Sequence, residues 1–422
     1  MGGKSAKYHS MARRTKQLQG STQEACIVVK VADAAEVFRV ALKLGLTSFG
    51  GPIAHLGYFE RTYVRQRRWL TSEQYGGLVA LCQILPGPTS SQVGFSIGLH
   101  RAGWIGALAA WLGFTLPSAL LMYLCAVFTA NWRGALAHSV LHGLQLVAVA
   151  VVAQAVWNMA RTFCRDAITM AIALAAGFLL ISFGGPVTQL AVLAAAALAG
   201  TAWCRRAGVE ATPLKLPISS AAAWSALGLF ATLLPALPTM AILYPRSSIA
   251  LADIFYRSGA LVFGGGHVVL PLLRDAMVPF GWISDDRFLT GYGCAQAVPG
   301  PLFTLAAYLG AANAYAPSAW SACVAVTFIF LPGLLMTITA LALWGRVSRH
   351  DVVRSALAGI NAAVVGILAA ALYDPVWKTA VRGPVDIAIA LVGLVLLVRW
   401  RVPPIAVVLF TLVCSALPGS LL

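Results

Sequence analysis

Charge is what this 422-residue chain has least of. Only 10% of its residues are charged, 59% are hydrophobic, and its mean hydropathy is +0.80. A soluble domain carries about 25% charged residues and slightly under half apolar ones. A chain this apolar cannot cover itself with polar surface, which excludes a soluble enzyme and a nucleic-acid-binding domain. Acidic residues are scarcer still, 14 against 30 Lys and Arg, for a net charge of +16. The eight cysteines form no C-x-x-C pair and no zinc spacing, and read as small buried thiols. The seven histidines make no HExxH and no His-rich tract, so neither a metal nor a cofactor is expected. A GxxxxGK[ST] loop is missing too, so ATP would have to act through a partner. The ~10-residue alternating segments of a membrane β-barrel are also absent.

What is present is a series of long apolar runs, near or above the ~20 residues that cross a bilayer. They lie at roughly 104–129, 138–160, 167–183, 187–203, 218–243, 318–344, 356–376, 384–400 and 403–421. The cations sit mostly in short loops between runs, where Lys and Arg set orientation. Four further apolar regions are interrupted: 36–60 by Gly50-Gly51-Pro52, 74–100 by Pro86-Gly87-Pro88, 250–273 by Gly264-Gly265-Gly266, and 288–312 by Pro299-Gly300-Pro301. A helix does not run smoothly through Pro-Gly-Pro. These regions predict broken helices or re-entrant hairpins.

The chain repeats itself at a spacing of about 213 residues. Phe49-Gly50-Gly51 matches Phe263-Gly264-Gly265, and Trp69 and Glu73 match Trp282 and Asp286. Gln83 with Pro86-Gly87-Pro88 matches Gln296 with Pro299-Gly300-Pro301. Leu116-Pro117 matches Leu331-Pro332, and Gly143 matches Gly359. Loop charge gives the relation between the copies. The loop 60–73 carries Arg61, Arg65, Arg67 and Arg68, whereas its equivalent 274–287 carries Asp275, Asp285 and Asp286 with only Arg274 and Arg287. The bias reverses at the next matched pair, where Arg133 stands alone against Arg346, Arg349 and Arg354. Positive loops stay in the cytoplasm. The expected fold is therefore all-α: a polytopic membrane protein of two inverted-topology repeats with broken or re-entrant helices. Its expected parts are a basic cytoplasmic tail (1–31), a first membrane repeat (32–204), a linker and connecting helix (205–248) and a second membrane repeat (249–422). The N-terminus is expected in the cytoplasm and the C-terminus outside. This is the plan of many secondary transporters, with the site near the midplane at discontinuous helices.

Three features nominate site residues. The glycine breaks, Gly50-Gly51 and Gly264-Gly265, let a ligand approach the backbone and free the N–H groups of the restarting helix; close helix packing is the competing explanation. The Pro-Gly-Pro breaks bring Gly87 with Gln83, Thr89, Ser90, Ser91 and Gln92, and Gly300 with Gln296 and Thr304, as donors for an oxyanion or as caps for freed carbonyls. The half-1 group is the richer. Intramembrane charge is the third feature: Lys43 and Arg257 each lie six residues before the matched phenylalanine. Arg257 has Asp253 one turn away, so a local ion pair competes with an anion contact; Arg39 stands where the repeat puts Asp253, so Lys43 lacks that partner. His55 and His267 follow the glycine breaks, as proton carriers or as hydrogen bonds to a broken helix.

The segments Ser48-Phe49-Gly50-Gly51-Pro52-Ile53-Ala54-His55-Leu56-Gly57-Tyr58-Phe59 and Leu85-Pro86-Gly87-Pro88-Thr89-Ser90-Ser91-Gln92-Val93-Gly94 resemble the chromate ion transporter family. Arg67-Arg68-Trp69-Leu70, Gly113-Phe114-Thr115-Leu116-Pro117-Ser118-Ala119 and Ala295-Gln296-Ala297-Val298-Pro299-Gly300-Pro301-Leu302-Phe303 extend the likeness from about residue 36 to the C-terminus. The resemblance implies a two-repeat protein of the bacterial inner membrane that exports chromate and gives chromate resistance. It implies coupling to the proton motive force, with sulfate as a related or competing anion. It assigns no residue roles. The partners expected are chromate, sulfate and the lipid bilayer, with a homodimer open and nucleic acid excluded. Two cations meeting from the two repeats would suit a tetrahedral dianion. Sulfate uptake, a passive anion channel and a membrane enzyme acting on lipid phosphates are the competing functions; no cluster at catalytic spacing supports the last.

Overall fold

A computed structural model of the chain describes residues 32–49, 51–130, 135–204, 216, 218–263, 268–347 and 351–416. The expected cytoplasmic tail (1–31) and most of the linker lie outside them. The described residues are helical, with no strand among them. In chain order the helices are α1 (32–47), α2 (Gly51–Phe59), α3 (Ser72–Ile84), α4 (Thr89–Ala130), α5 (Ala135–Phe163), α6 (Ala167–Phe183), α7 (Gly185–Trp203) and α8 (Ser220–Leu243). Then come α9 (Ser248–Leu261), α10 (Val269–Met277), α11 (Asp285–Ala297), α12 (Leu305–Ala312), α13 (Ala319–Val347), α14 (Asp351–Ala371), α15 (Lys378–Ala380), α16 (Pro384–Val398) and α17 (Pro404–Ala416). Among the described residues, five helical stretches are long and apolar enough to cross a membrane: 89–130, 139–163, 220–243, 319–343 and 355–380. The chain is an all-α polytopic membrane protein.

The surface confirms the solvent. Phe178, Phe183, Val187, Leu198, Ile242, Leu243, Trp320 and Val413 are exposed, while Gln92, Gln145, Gln189, Thr169 and Thr337 are buried. Lipid tails are as apolar as these exposed side chains, so no water-driven core is needed. Close packing of small residues holds the helices instead. Gly177 of α6 lies on Gly366 of α14, and Gly200 of α7 on Gly359 of the same helix. Gly143 of α5 lies on Thr411 and Leu412 of α17. Thus α14 packs with α6 and α7, while α5 packs with α16 and α17. Each of these two helices leaves its own half of the chain and seats itself in the other.

The breaks form where sequence chemistry demands them. Leu85 and Val298, each preceding a proline, are extended (φ −79°, ψ 151° and φ −91°, ψ 134°), as the proline ring requires of its predecessor. Gly87 and Gly300 follow at φ +108° and +105°, a region L side chains rarely adopt. α4 also breaks at Ala102 and Gly103 (φ +65°), so its buried first part, Thr89 to Leu99, is a separate arm from the long apolar part beyond. α3 packs against α4, and α11 against α12, as two arms around each Pro-Gly-Pro.

Candidate functional site

The two breaks are joined to one another's halves by matching hydrogen bonds. The Gly87 N–H donates to the Val262 carbonyl at 2.8 Å, and the Gly300 N–H donates to the Ser48 carbonyl at 2.9 Å. Val262 and Ser48 each precede the Phe-Gly-Gly motif of their half. A Cβ placed on Gly87 would lie 2.8 Å from Gly333 Cα in α13; one placed on Gly300 would lie 2.7 Å from Ser118 Oγ in α4. Each break therefore sits between the end of a first helix and the Leu-Pro turn of a long helix, Leu331-Pro332-Gly333 or Leu116-Pro117-Ser118.

Around them lies a buried polar ring. His55 is fully buried in α2. Its Nε2 donates to the Ser48 carbonyl at 3.2 Å, so in the neutral ring Nδ1 accepts from the Ser90 hydroxyl at 3.5 Å. The ring packs edge-on against Phe114 of α4, with centroids 5.4 Å apart. Thr89, Ser90 and Ser91 open the buried first turn of α4, where a helix presents its free N–H groups, and the Gln92 N–H closes that turn on the Pro88 carbonyl at 3.0 Å. The hydroxyls of Ser48, Ser91 and Thr115 and the indole Nε1 of Trp111 are buried with no hydrogen-bond partner among the described residues. A buried donor left alone costs about 1–3 kcal/mol, so these groups are open to a partner beyond the described residues.

The nominated residues divide. His55 joins Gly87, Thr89, Ser90, Ser91 and Gln92 at the first break through Ser90, and Gly51 (φ +77°) opens the helix that carries it. Gly300 reaches the same region through Ser48. Gln296 is half-buried on α11, in reach of the Tyr292 hydroxyl. Gly50, Gly264, Gly265 and His267 lie outside the described residues. Four nominations take other places. Lys43 is exposed on α1 and Gln83 is exposed on α3. Arg257 is half exposed (48%) and grips the buried Asp253 (4%) through one guanidinium edge, with Nε to Oδ1 at 2.7 Å and Nη2 to Oδ2. The local pair, one helical turn long, engages this cation, so the expected meeting of Lys43 with Arg257 does not occur. The Thr304 hydroxyl donates to the Pro301 carbonyl at 2.8 Å and caps the break rather than facing a ligand.

Gln92 changes character. Its Nε2 donates to the Pro86 carbonyl at 2.7 Å and to the Gly333 carbonyl at 3.1 Å, tying the break to α13. Only its Oε1 is left without a partner, and an oxygen acceptor repels an oxyanion. Gln92 holds the site's shape. Sequence reasoning missed Ser48, Trp111, Thr115 and Ser118. For the last three, spacing at 111, 115 and 118 shows that they share one face of an otherwise apolar helix, but not that this face turns inward.

Comparison with known proteins gives the context. The family model described as Chromate transporter matches residues 35–201 and 249–416. The chain is 28% identical over 381 residues to a chromate transport protein of Pseudomonas aeruginosa, covering 87% of each chain. It is 28% identical over 341 residues to a probable chromate transport protein of Synechococcus elongatus, covering 78% of this chain and 81% of the relative. It is 27% identical over 363 residues to a chromate transport protein of Cupriavidus metallidurans, covering 84% of each. No solved structure matches it.

Proposed function

Because the chain belongs to the chromate transporter family, we propose that it is a secondary transporter that exports chromate from the cytoplasm, driven by the proton motive force or by exchange against sulfate. The observation that carries this reading is the reciprocal pair of bonds from Gly87 to Val262 and from Gly300 to Ser48, which draws two broken segments to one buried ring of polar atoms. Its relatives are transport proteins, and the chain is a transporter rather than an enzyme.

Two inverted repeats underlie the mechanism. In support, the contacts obey the repeat spacing: Gly87 on Gly333 corresponds to Gly300 on Ser118, and Gly45 on Phe114 to Gly259 on Ile329. The family model matches a segment on either side of α8, whose single crossing would invert the second copy. The arginine-rich loop 60–73 then faces the cytoplasm, as do the N-terminus and the Arg101–Asp33 pair (2.9 Å), in the inner membrane of a bacterium.

A tetrahedral dianion leaving water loses several kcal/mol of solvation per charge unless donors replace the shell. In this site the replacement comes from uncharged donors, the first-turn N–H groups of α4 and the hydroxyls of Ser48 and Ser91, since Lys43 is exposed and Arg257 is held by Asp253. Neutral donors suit a carrier, because they bind an anion without trapping it. Closure of either half over the ring would expose the site to one side at a time.

The test is chromate flux in sealed vesicles, with and without a pH gradient and with sulfate on either side. Chromate movement that either gradient accelerates is the expected result. No chromate flux above that of empty vesicles would refute the proposal. Gradient-independent flux at rates far above those of carriers would indicate a channel, and sulfate flux without chromate flux a sulfate porter.

A further inference from the structure

We propose that Trp111, Thr115 and Ser118 of α4 form a further wall of the oxyanion site, with Trp111 Nε1 and Thr115 Oγ1 as direct donors. The inference rests on the reading of the two breaks as the site. The three positions are spaced i, i+4 and i+7, so they share one face of α4. That face meets the second break. Ser118 Oγ lies 2.7 Å from the position a Gly300 Cβ would take. The Trp111 ring packs edge-on against Phe330 with centroids 5.8 Å apart, and Phe330 packs against Phe303, just beyond the break, at 5.7 Å. Thr115 stands between them, buried.

On this helix the usual soluble pattern is inverted. Leu112, Leu116 and Leu120 point outward and are exposed, while the hydroxyls point in. The Ser118 hydroxyl bonds the Thr115 carbonyl at 3.0 Å, but Thr115 Oγ1 and Trp111 Nε1 have no partner among the described residues. Valine has nearly the shape of threonine, so packing alone does not account for a hydroxyl at 115. The wall adjoins the polar ring, because Phe114, its neighbour, is the residue packed edge-on against His55. The chemistry of the donors names the ligand class. An indole N–H donates and never accepts, and a hydroxyl without a partner among the described residues is open to donate. Two such groups, on the α4 face that carries Ser118 to the second break, suit an anion that presents acceptor oxygens in several directions, which describes chromate and sulfate.

The test uses the full chain in sealed vesicles and in detergent. Chromate flux is measured against concentration for Thr115→Val, Thr115→Ser and Trp111→Phe, beside Ser91→Ala in the ring and Thr129→Val, whose hydroxyl bonds the Cys125 carbonyl at 2.7 Å. A hydrogen bond to a charged ligand is worth roughly 10- to 150-fold in affinity. Thr115→Val and Trp111→Phe are expected to raise half-saturating chromate about tenfold or more, with maximal flux little changed. Thr115→Ser and Thr129→Val should stay near wild type. Without chromate, Thr115→Val should melt no lower than wild type, since it strands nothing. Unchanged half-saturation in Thr115→Val and Trp111→Phe, with a rise in Ser91→Ala, would overturn the wall and leave the site standing. No rise in any of the three would overturn the site itself. A lower melting temperature of Thr115→Val without chromate would show that its hydroxyl is engaged within the protein, and would also overturn the wall.

Discussion

Replacing Gly87 with alanine tests the crossing of the two halves most directly. At φ +108° an alanine pays conformational strain of about 1–3 kcal/mol. Its Cβ would also lie 2.8 Å from Gly333 Cα, where real Cβ atoms essentially never come. That obstacle is the backbone of α13, which no side-chain rotation relieves, and overpacking of this kind adds about 1–3 kcal/mol. The total, about 2–6 kcal/mol, is a large part of the 5–15 kcal/mol that holds a typical native protein. Gly300→Ala meets nearly the same φ, +105°, but its obstacles are a side chain: Ser118 Oγ at 2.7 Å, which can rotate away by giving up its bond to the Thr115 carbonyl, and Ser118 Cβ at 3.0 Å. It should fall at the low end of the range, and Ser118→Gly in the same chain should relieve part of its cost. Gly57→Ala is the control, since a Cβ there meets nothing within 4 Å in a helix that gains about 0.5–1 kcal/mol from alanine. The assay is thermal denaturation of purified protein together with the folded fraction by size exclusion. The expected order of stability is Gly57→Ala, then Gly300→Ala, then Gly87→Ala. If Gly87→Ala proves as stable as Gly57→Ala, the break does not lie against α13 and the reciprocal crossing is wrong.

Three other outcomes follow from the same geometry. Arg65→Cys and Asp285→Cys should label from opposite sides of the membrane, with an impermeant reagent on intact cells reaching only position 285; labelling of both from outside would contradict the inverted arrangement. Arg257→Ala strands the buried Asp253 and should destabilise the protein by about 3 kcal/mol, restored in large part by adding Asp253→Asn, while Lys43→Ala should leave chromate flux near wild type. Flux lost in Lys43→Ala, in protein that reaches the membrane, would return that cation to the site. Gln92→Leu strands the Pro86 carbonyl, while the Gly333 carbonyl keeps the Thr337 hydroxyl at 2.8 Å, and should lower the melting temperature at a cost of about 1–3 kcal/mol, with little change in half-saturating chromate; the reverse pattern would make Gln92 a ligand donor.

Reading the chain alone was enough for everything that local chemistry settles. Composition dictates the solvent, because apolar surface on this scale has no place in water. The nine apolar runs coincide closely with helices, and both Pro-Gly-Pro segments break as proline and glycine require, at Leu85–Gly87 and Val298–Gly300. Tertiary structure decided which side chains meet. In a helix apolar on nearly every face, periodicity does not say which face turns inward, so the burial of Thr115 and Ser118 was not legible from α4's sequence. Matched positions before the glycine breaks nominated Lys43 and Arg257 for the site; the fold turns one outward and pairs the other with Asp253, a carboxylate one turn away on the same helix. The amide of Gln92 looked like a free donor until α13 arrived, 241 residues away, with the Gly333 carbonyl. The exchange of α5 and α14 between halves likewise depends on glycine contacts across more than 150 residues, such as Gly200 on Gly359. Long-range partners of this kind are set by the packing of whole helices, and no local pattern encodes them.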